Sequence, residues 1–162
     1  MKIKNNWSGR FLVVALVTAA ALTMTACDKD DDDNNIDNRP YTISGNAAGS
    51  QMVPSVAGTG TGTFNGTYNP ATRQMNYTTN WNGLTGAPTS GGFYTGASGV
   101  AGTAAGSPWT IGTDWTGTGS TTGSWTLTQQ QATDMMNGNM YYSMGTSTNS
   151  GGEIRGQMSA TR

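Results

Sequence analysis

Aromatic and apolar residues alternate with polar ones at a period of two in several stretches, the mark of strands with one buried face. In Thr61–Tyr68, Phe64 and Tyr68 share one face while Thr61, Thr63 and Thr67 share the other. Asn69-Pro70-Ala71-Thr72 then supplies turn chemistry: proline pre-sets φ at the second turn position, and the asparagine side chain bonds nearby backbone. Alternation resumes over Arg73–Trp81, with Met75, Tyr77, Thr79 and Trp81 in phase, so these two segments are predicted to pair as a hairpin. Trp125 and Leu127 are in phase within Gly123–Thr128. Asn139–Ser147 and Glu153–Ala160 form a last predicted pair around the loop Thr148-Asn149-Ser150-Gly151-Gly152. Gly60, Gly62 and Gly66 interrupt strand-like sequence, which suggests bulges or a close approach of another part of the chain.

One short helix is predicted near residues 129–137. Thr128 followed three residues later by Gln131 fits a capping box, and Gly138 stands where a glycine would end the helix. Ala132, Met135 and Met136 form the i, i+3, i+4 stripe that packs it on a sheet. Many short strands, glycine-rich turns and one helix indicate an all-β domain, an antiparallel β-sandwich or closed barrel.

The N-terminus has a different pattern. Lys2, Lys4 and Arg10 precede the mostly apolar run Phe11–Thr23, whose 13 residues fall short of the roughly 20 that span a bilayer as a helix. Met24-Thr25-Ala26-Cys27 follows, similar to the lipobox of a bacterial lipoprotein: apolar at −3, small at −2 and −1, then cysteine. The expectation is a signal peptide over 1–26, with lipid such as palmitate attached at Cys27, the only cysteine in the chain. Residues 27–40 then read as the lipidated cysteine and an acidic linker, since Asp28-Lys29-Asp30-Asp31-Asp32-Asp33 repels itself and buries nothing. The EF-hand loop pattern fails there, because position 6 from Asp30 is Asn35 and position 12 is Tyr41. The block resembles acidic tags of surface-exported lipoproteins, so the expected location is the outer membrane, lipid-anchored and displayed on the cell surface.

Residues 41–162 form the expected domain. Beyond Arg39 its charges are Arg73, Arg155 and Arg162 against Asp114, Asp134 and Glu153. That balance gives no electrostatic reason for a nucleic-acid partner. Aliphatic content is low, but four Trp, six Tyr, two Phe and seven Met follow Cys27. Each buried aromatic removes about 150–250 Å² from water, so these residues can replace an aliphatic core.

Gly151-Gly152-Glu153-Ile154-Arg155-Gly156-Gln157-Met158 resembles the closing "GGEIRGQL" motif of the CHRD domain. Further segments match in order. Ile43-Ser44-Gly45 with Gln51-Met52-Val53-Pro54 is similar to "LSGAQEVPP", Thr59–Phe64 to "ATGTATF", Gly83-Leu84-Thr85-Gly86 to "GLTG", and Gly138–Tyr142 to "AGNLYVN". The resemblance implies a β-sandwich of immunoglobulin-like or superoxide-dismutase-like character with no settled biochemical activity. Where many microbial members carry "HIHGPA" and "VNVHT", this chain has Gly92–Ala97 and Ser143–Thr146, so those histidine places are empty. Within the motif, Glu153 and Arg155 share a strand face and are expected to form a structural ion pair, with Ile154 and Met158 pointing into the core.

The chain contains no histidine, and its one thiol is the expected lipid site. That argues against histidine-based metal sites, Ser-His-Asp triads and Cys-His dyads. Gly-Thr steps recur at 58–63 and 117–123, but neither run continues into Gly-Lys-Ser/Thr, so no phosphate loop is present. The expectation is a non-enzymatic protein without metal or cofactor. Two functions fit: a structural or adhesion module, able to self-associate through strand edges, or a module for a glycan or other ligand. Trp109 and Trp115, in the Gly/Thr/Ser-rich stretch 106–123, are the expected stacking residues for the second.

Overall fold

A computed structural model describes residues 38–162 of the chain; Cys27, the leader and most of the acidic linker lie outside the described residues. The described chain forms β1 (Tyr41–Ala48), β2 (Thr61–Asn69), β3 (Gln74–Asn82), β4 (Pro88–Thr95), β5 (Thr103–Ala104), β6 (Gly119–Thr126), α1 (Gln129–Met136), β7 (Met140–Thr146), β8 (Ile154–Gln157) and β9 (Ser159–Thr161). The strands make one antiparallel sheet in the order β5-β4-β7-β8-β1-β2-β3-β6, with β9 also paired to β1. The sheet curls into a half-barrel, so the all-β, sandwich-like expectation holds. Its two halves are joined through the β8–β1 pairing, where Ala47 and Ala48 oppose Gly156 and Arg155.

The predicted hairpin is β2–β3, in register from Thr61↔Asn82 to Asn69↔Gln74. Asn69 Oδ1 accepts from the backbone N–H of Ala71 at 2.9 Å and of Thr72 at 3.3 Å. The turn is therefore held by the side chain that the sequence singled out. The inward positions Phe64, Tyr68, Met75, Thr79 and Trp81 are all buried.

Curling brings the inner face of β2 and β3 against that of β4 and β7. Phe64 lies 5.8 Å from Phe93 and 5.4 Å from Tyr142, and Tyr77 meets Phe93 edge-on at 5.1 Å. Such ring pairs contribute about 0.5–1.5 kcal/mol each beyond the area they bury. Met75, Met135, Met140, Met144 and Met158 fill the gaps between rings and are essentially inaccessible, a use suited to a flexible thioether. Gly62 shows why strand glycines are needed: a Cβ there would lie 3.0 Å from Ile154 Cδ1 and 3.2 Å from the Tyr142 hydroxyl.

The helix forms as its caps dictate. Thr128 Oγ1 accepts from Gln131 N at 3.2 Å, Gln131 Oε1 accepts from Thr128 N at 2.8 Å, and Gly138 has φ of +69°. Ala132 and Met135 are buried and α1 packs against β7 and β9.

Candidate functional site

The terminal motif runs from the β7–β8 turn into β8 and places two charged side chains in the interior. Glu153 and Arg155 are each only 2% exposed. The Glu153 carboxylate accepts from Thr85 N at 2.8 Å, Thr85 Oγ1 at 2.6 Å and Thr146 Oγ1 at 2.6 Å. Burial alone would raise its pKa, but hydrogen bonds from Thr146, Thr85 and Asn149 outweigh it and hold the carboxyl below its ordinary range. Thr85 belongs to the loop between β3 and β4, so Glu153 ties that loop to the β7–β8 turn.

Arg155 is engaged elsewhere, which corrects the expected Glu153–Arg155 ion pair. Its guanidinium donates to Val100 O at 2.7 Å, Ala97 O at 2.7 Å and Gln157 Oε1 at 2.9 Å. It also lies 3.6 Å from the centroid of the Tyr141 ring, a cation–π contact. Burial lowers its pKa, opposed by Tyr141. Gln157 Nε2 adds bonds to Gly96 O at 2.9 Å, Gly138 O at 2.7 Å and Met140 O at 3.0 Å. The planar, many-donor guanidinium suits the task, because loop carbonyls at different angles need a fixed fork of N–H groups. Glu153 is thus held by Thr85 and Thr146, and Arg155 by the carbonyls of Ala97 and Val100, so each pins a distant loop to the β7–β8 region. The other domain carboxylates are remote in sequence: Asp114 is exposed on a loop and Asp134 on α1 accepts from Gln130 at 3.1 Å.

Trp109 and Trp115 are both half-buried and belong to different clusters. Trp109 lies between the sheet halves, stacked on Tyr77 at 6.0 Å and edge-on to Phe93 at 5.3 Å. A Cβ on Gly91 would come within 2.7 Å of its ring, so β4 carries glycine where the indole presses on it. Trp115 lies against Trp81 at 4.7 Å. The two residues expected to stack on a ligand lie in separate clusters, and each spends ring surface on the core.

What sequence reasoning missed is the setting of Trp109. With Tyr77, Phe93 and Trp125 it lines a cleft of about 500 Å³ between residues 106–110 and β6, rimmed by Ser107, Thr110 and Thr121. Trp125 stacks on Phe93 at 5.0 Å. The indole N–H of Trp109 is buried and has no hydrogen-bond partner among the described residues. Gly106, with φ of +88°, and Pro108 turn the chain back toward Trp125. They are the only sequence signal that this segment returns.

The opposite, solvent-facing side of β1, β2, β3 and β6 is uncharged and, Ala48 apart, polar. Cross-strand register aligns Thr42, Thr67, Asn76 and Ser124 in one row and Ser44, Asn65, Thr78 and Thr122 in the next. Between the two rows runs an open groove of about 610 Å³ over the backbone of Gly66, Tyr77 and Gly123. Hydroxyls and amides in register offer donors and acceptors without selecting a charge.

The model of the CHRD domain family matches residues 43–158, from the inward Ile43 of β1 to the buried Met158 that follows β8. No curated protein and no solved structure matches the chain.

Proposed function

The chain belongs to the CHRD domain family, and from that premise we propose that it is a lipid-anchored, surface-displayed lipoprotein whose domain is a non-catalytic adhesion module. The observation that carries the adhesion reading is the uncharged Thr/Ser/Asn face in register across four strands. An uncharged surface of hydroxyls and amides has nothing to polarise a bond or move a proton near neutral pH, but it suits repeated contact with a neutral partner. Glu153 and Arg155, the polar groups a mechanism would need, are occupied as pins. Anchorage rests on the sequence: a short apolar leader, small residues, then Cys27, then an acidic spacer to hold the domain off a membrane.

Alkyne-palmitate labelling of cells producing the full chain tests the anchor. The expected result is a labelled band in the membrane fraction that Cys27→Ala abolishes; label retained in that variant overturns it. Protease added to intact cells should digest the domain, whereas full protection refutes surface display. Clumping of producing cells over non-producing ones tests adhesion itself. A second reading, binding of a neutral glycan, is favoured by the groove over Gly66, Tyr77 and Gly123 more than by Trp109 and Trp115. Saturable glycan binding weakened by Asn76→Ala or Thr122→Ala would support it.

A further inference from the structure

The two ends of the sheet are unlike. At one end β5 is two residues long, a short edge of the kind that resists further pairing. At the other, β6 presents eight residues, Gly119–Thr126, without a charge or a proline.

Which backbone groups β6 leaves open follows from the ladder. Leu127 N donates to Arg73 O at 2.9 Å, so odd-numbered positions bond toward β3. In an antiparallel pair successive residues turn their N–H and C=O to opposite sides. Ser120, Thr122, Ser124 and Thr126 therefore direct theirs to the outer edge, where no backbone partner meets them among the described residues. The β3 pairing of β6 has no bulge and the strand has no lysine or proline; among the described residues no strand covers it, and the segment 106–110 lies across a cleft from it without a backbone hydrogen bond.

Resting on the adhesion reading above, we propose that β6 pairs antiparallel with the β6 of a second copy of this chain, joining two sheets edge to edge. The sequence of the strand is self-complementary. With the two-fold axis at Thr122, Ser124 of one copy faces Ser120 of the other, and Trp125 faces Gly119. On the outer face this sets hydroxyl against hydroxyl, a favourable cross-strand pair. On the inner face each large indole meets a glycine. No like charges are brought together. The cleft between residues 106–110 and β6 leaves room for the inward side chains of the added strand. A lipid tether on one membrane would raise the effective concentration of copies and favour a pairing that is weak in dilute solution.

Cysteine cross-linking of the full chain in intact cells tests this. Residues directly opposite in a hydrogen-bonded antiparallel pair have Cα atoms about 5.5 Å apart, inside the roughly 4.4–6.8 Å range of a disulfide. Under mild oxidant, Thr122→Cys should give a covalent dimer roughly tenfold above Thr63→Cys, an exposed site in mid-sheet far from the edge. Ser124→Cys is the second probe, and a dimer there in place of Thr122→Cys supports the edge with the two-fold axis moved to Ser124, a register shifted by four residues. Dimer at the Thr63→Cys level for both probes overturns the proposal. The adhesion reading stands or falls separately: clumping without cross-links keeps adhesion and removes edge pairing, and cross-links without clumping do the reverse.

Discussion

Replacing Glu153 by alanine removes the acceptor on which three donors from Thr85 and Thr146 converge. Hydrogen bonds to a charged group contribute about 1.5–3 kcal/mol each, and a buried donor left unpaired costs about 1–3 kcal/mol. The full sum does not apply. Thr85 Oγ1 and Thr146 Oγ1 already lie 3.0 Å apart and can satisfy each other, and losing the carboxylate also relieves its burial. The uncompensated loss is the Thr85 N–H and one hydroxyl contact, so Glu153→Ala is expected to cost about 3 kcal/mol. In a domain of this size that lowers Tm by about 10 °C. Glu153→Gln keeps the volume and one carbonyl oxygen for Thr85 N–H, and should cost about 1 kcal/mol. Thermal unfolding followed by near-UV circular dichroism reads both. The pH arm has a definite sign. A carboxyl whose folded pKa is lowered stabilises fully above its unfolded pKa and loses that contribution as pH falls through the folded value. The Tm gap between wild type and Glu153→Gln should therefore be largest at neutral pH and close below the ordinary carboxylate range. A gap that is absent at neutral pH, or that widens on acidification, would refute the pinning role.

Three further outcomes follow from the same structure. Arg155→Lys keeps the charge but cannot reach both Val100 O and Ala97 O with one fork; it should cost about 2 kcal/mol and speed amide hydrogen exchange across residues 97–102. Trp109→Ala should destabilise by about 3 kcal/mol in chemical denaturation because the ring fills the space between the sheet halves. Trp109→Phe should cost much less, since the indole N–H it removes has no partner among the described residues; equal losses would show that the nitrogen is engaged. Gly123→Ala places a Cβ within 2.5 Å of the Tyr77 hydroxyl and 2.6 Å of its ring carbon Cζ, so about 1–3 kcal/mol of overpacking is expected in equilibrium unfolding.

What the sequence by itself determined were the features written within a few consecutive residues. The β2–β3 hairpin was legible because its alternation is strong on both strands and Asn69-Pro70 has a turn chemistry of its own. The helix was legible because its cap is a local exchange of two hydrogen bonds between Thr128 and Gln131. The terminal motif gave the family, and Ile154 and Met158 as core residues.

Only the tertiary structure decided the rest, and the reason is spatial. Strands β1 and β4 carry little hydrophobic alternation because their inward positions include Gly45 and Gly91. A Cβ on the first would press on Gln157 O, 2.7 Å away, with the Tyr142 ring at 3.4 Å; on the second it would meet the Trp109 ring. Where a partner's large ring supplies the core volume, the strand facing it must be small, and the period-two signal is erased. Glu153 and Arg155 share a strand face in sequence, yet each is held by a loop that arrives from far along the chain. The fates of Trp109 and Trp115 likewise depended on which distant ring each would meet. Among the described residues the sheet order ends at β6, a property of the assembled sheet that no local pattern encodes.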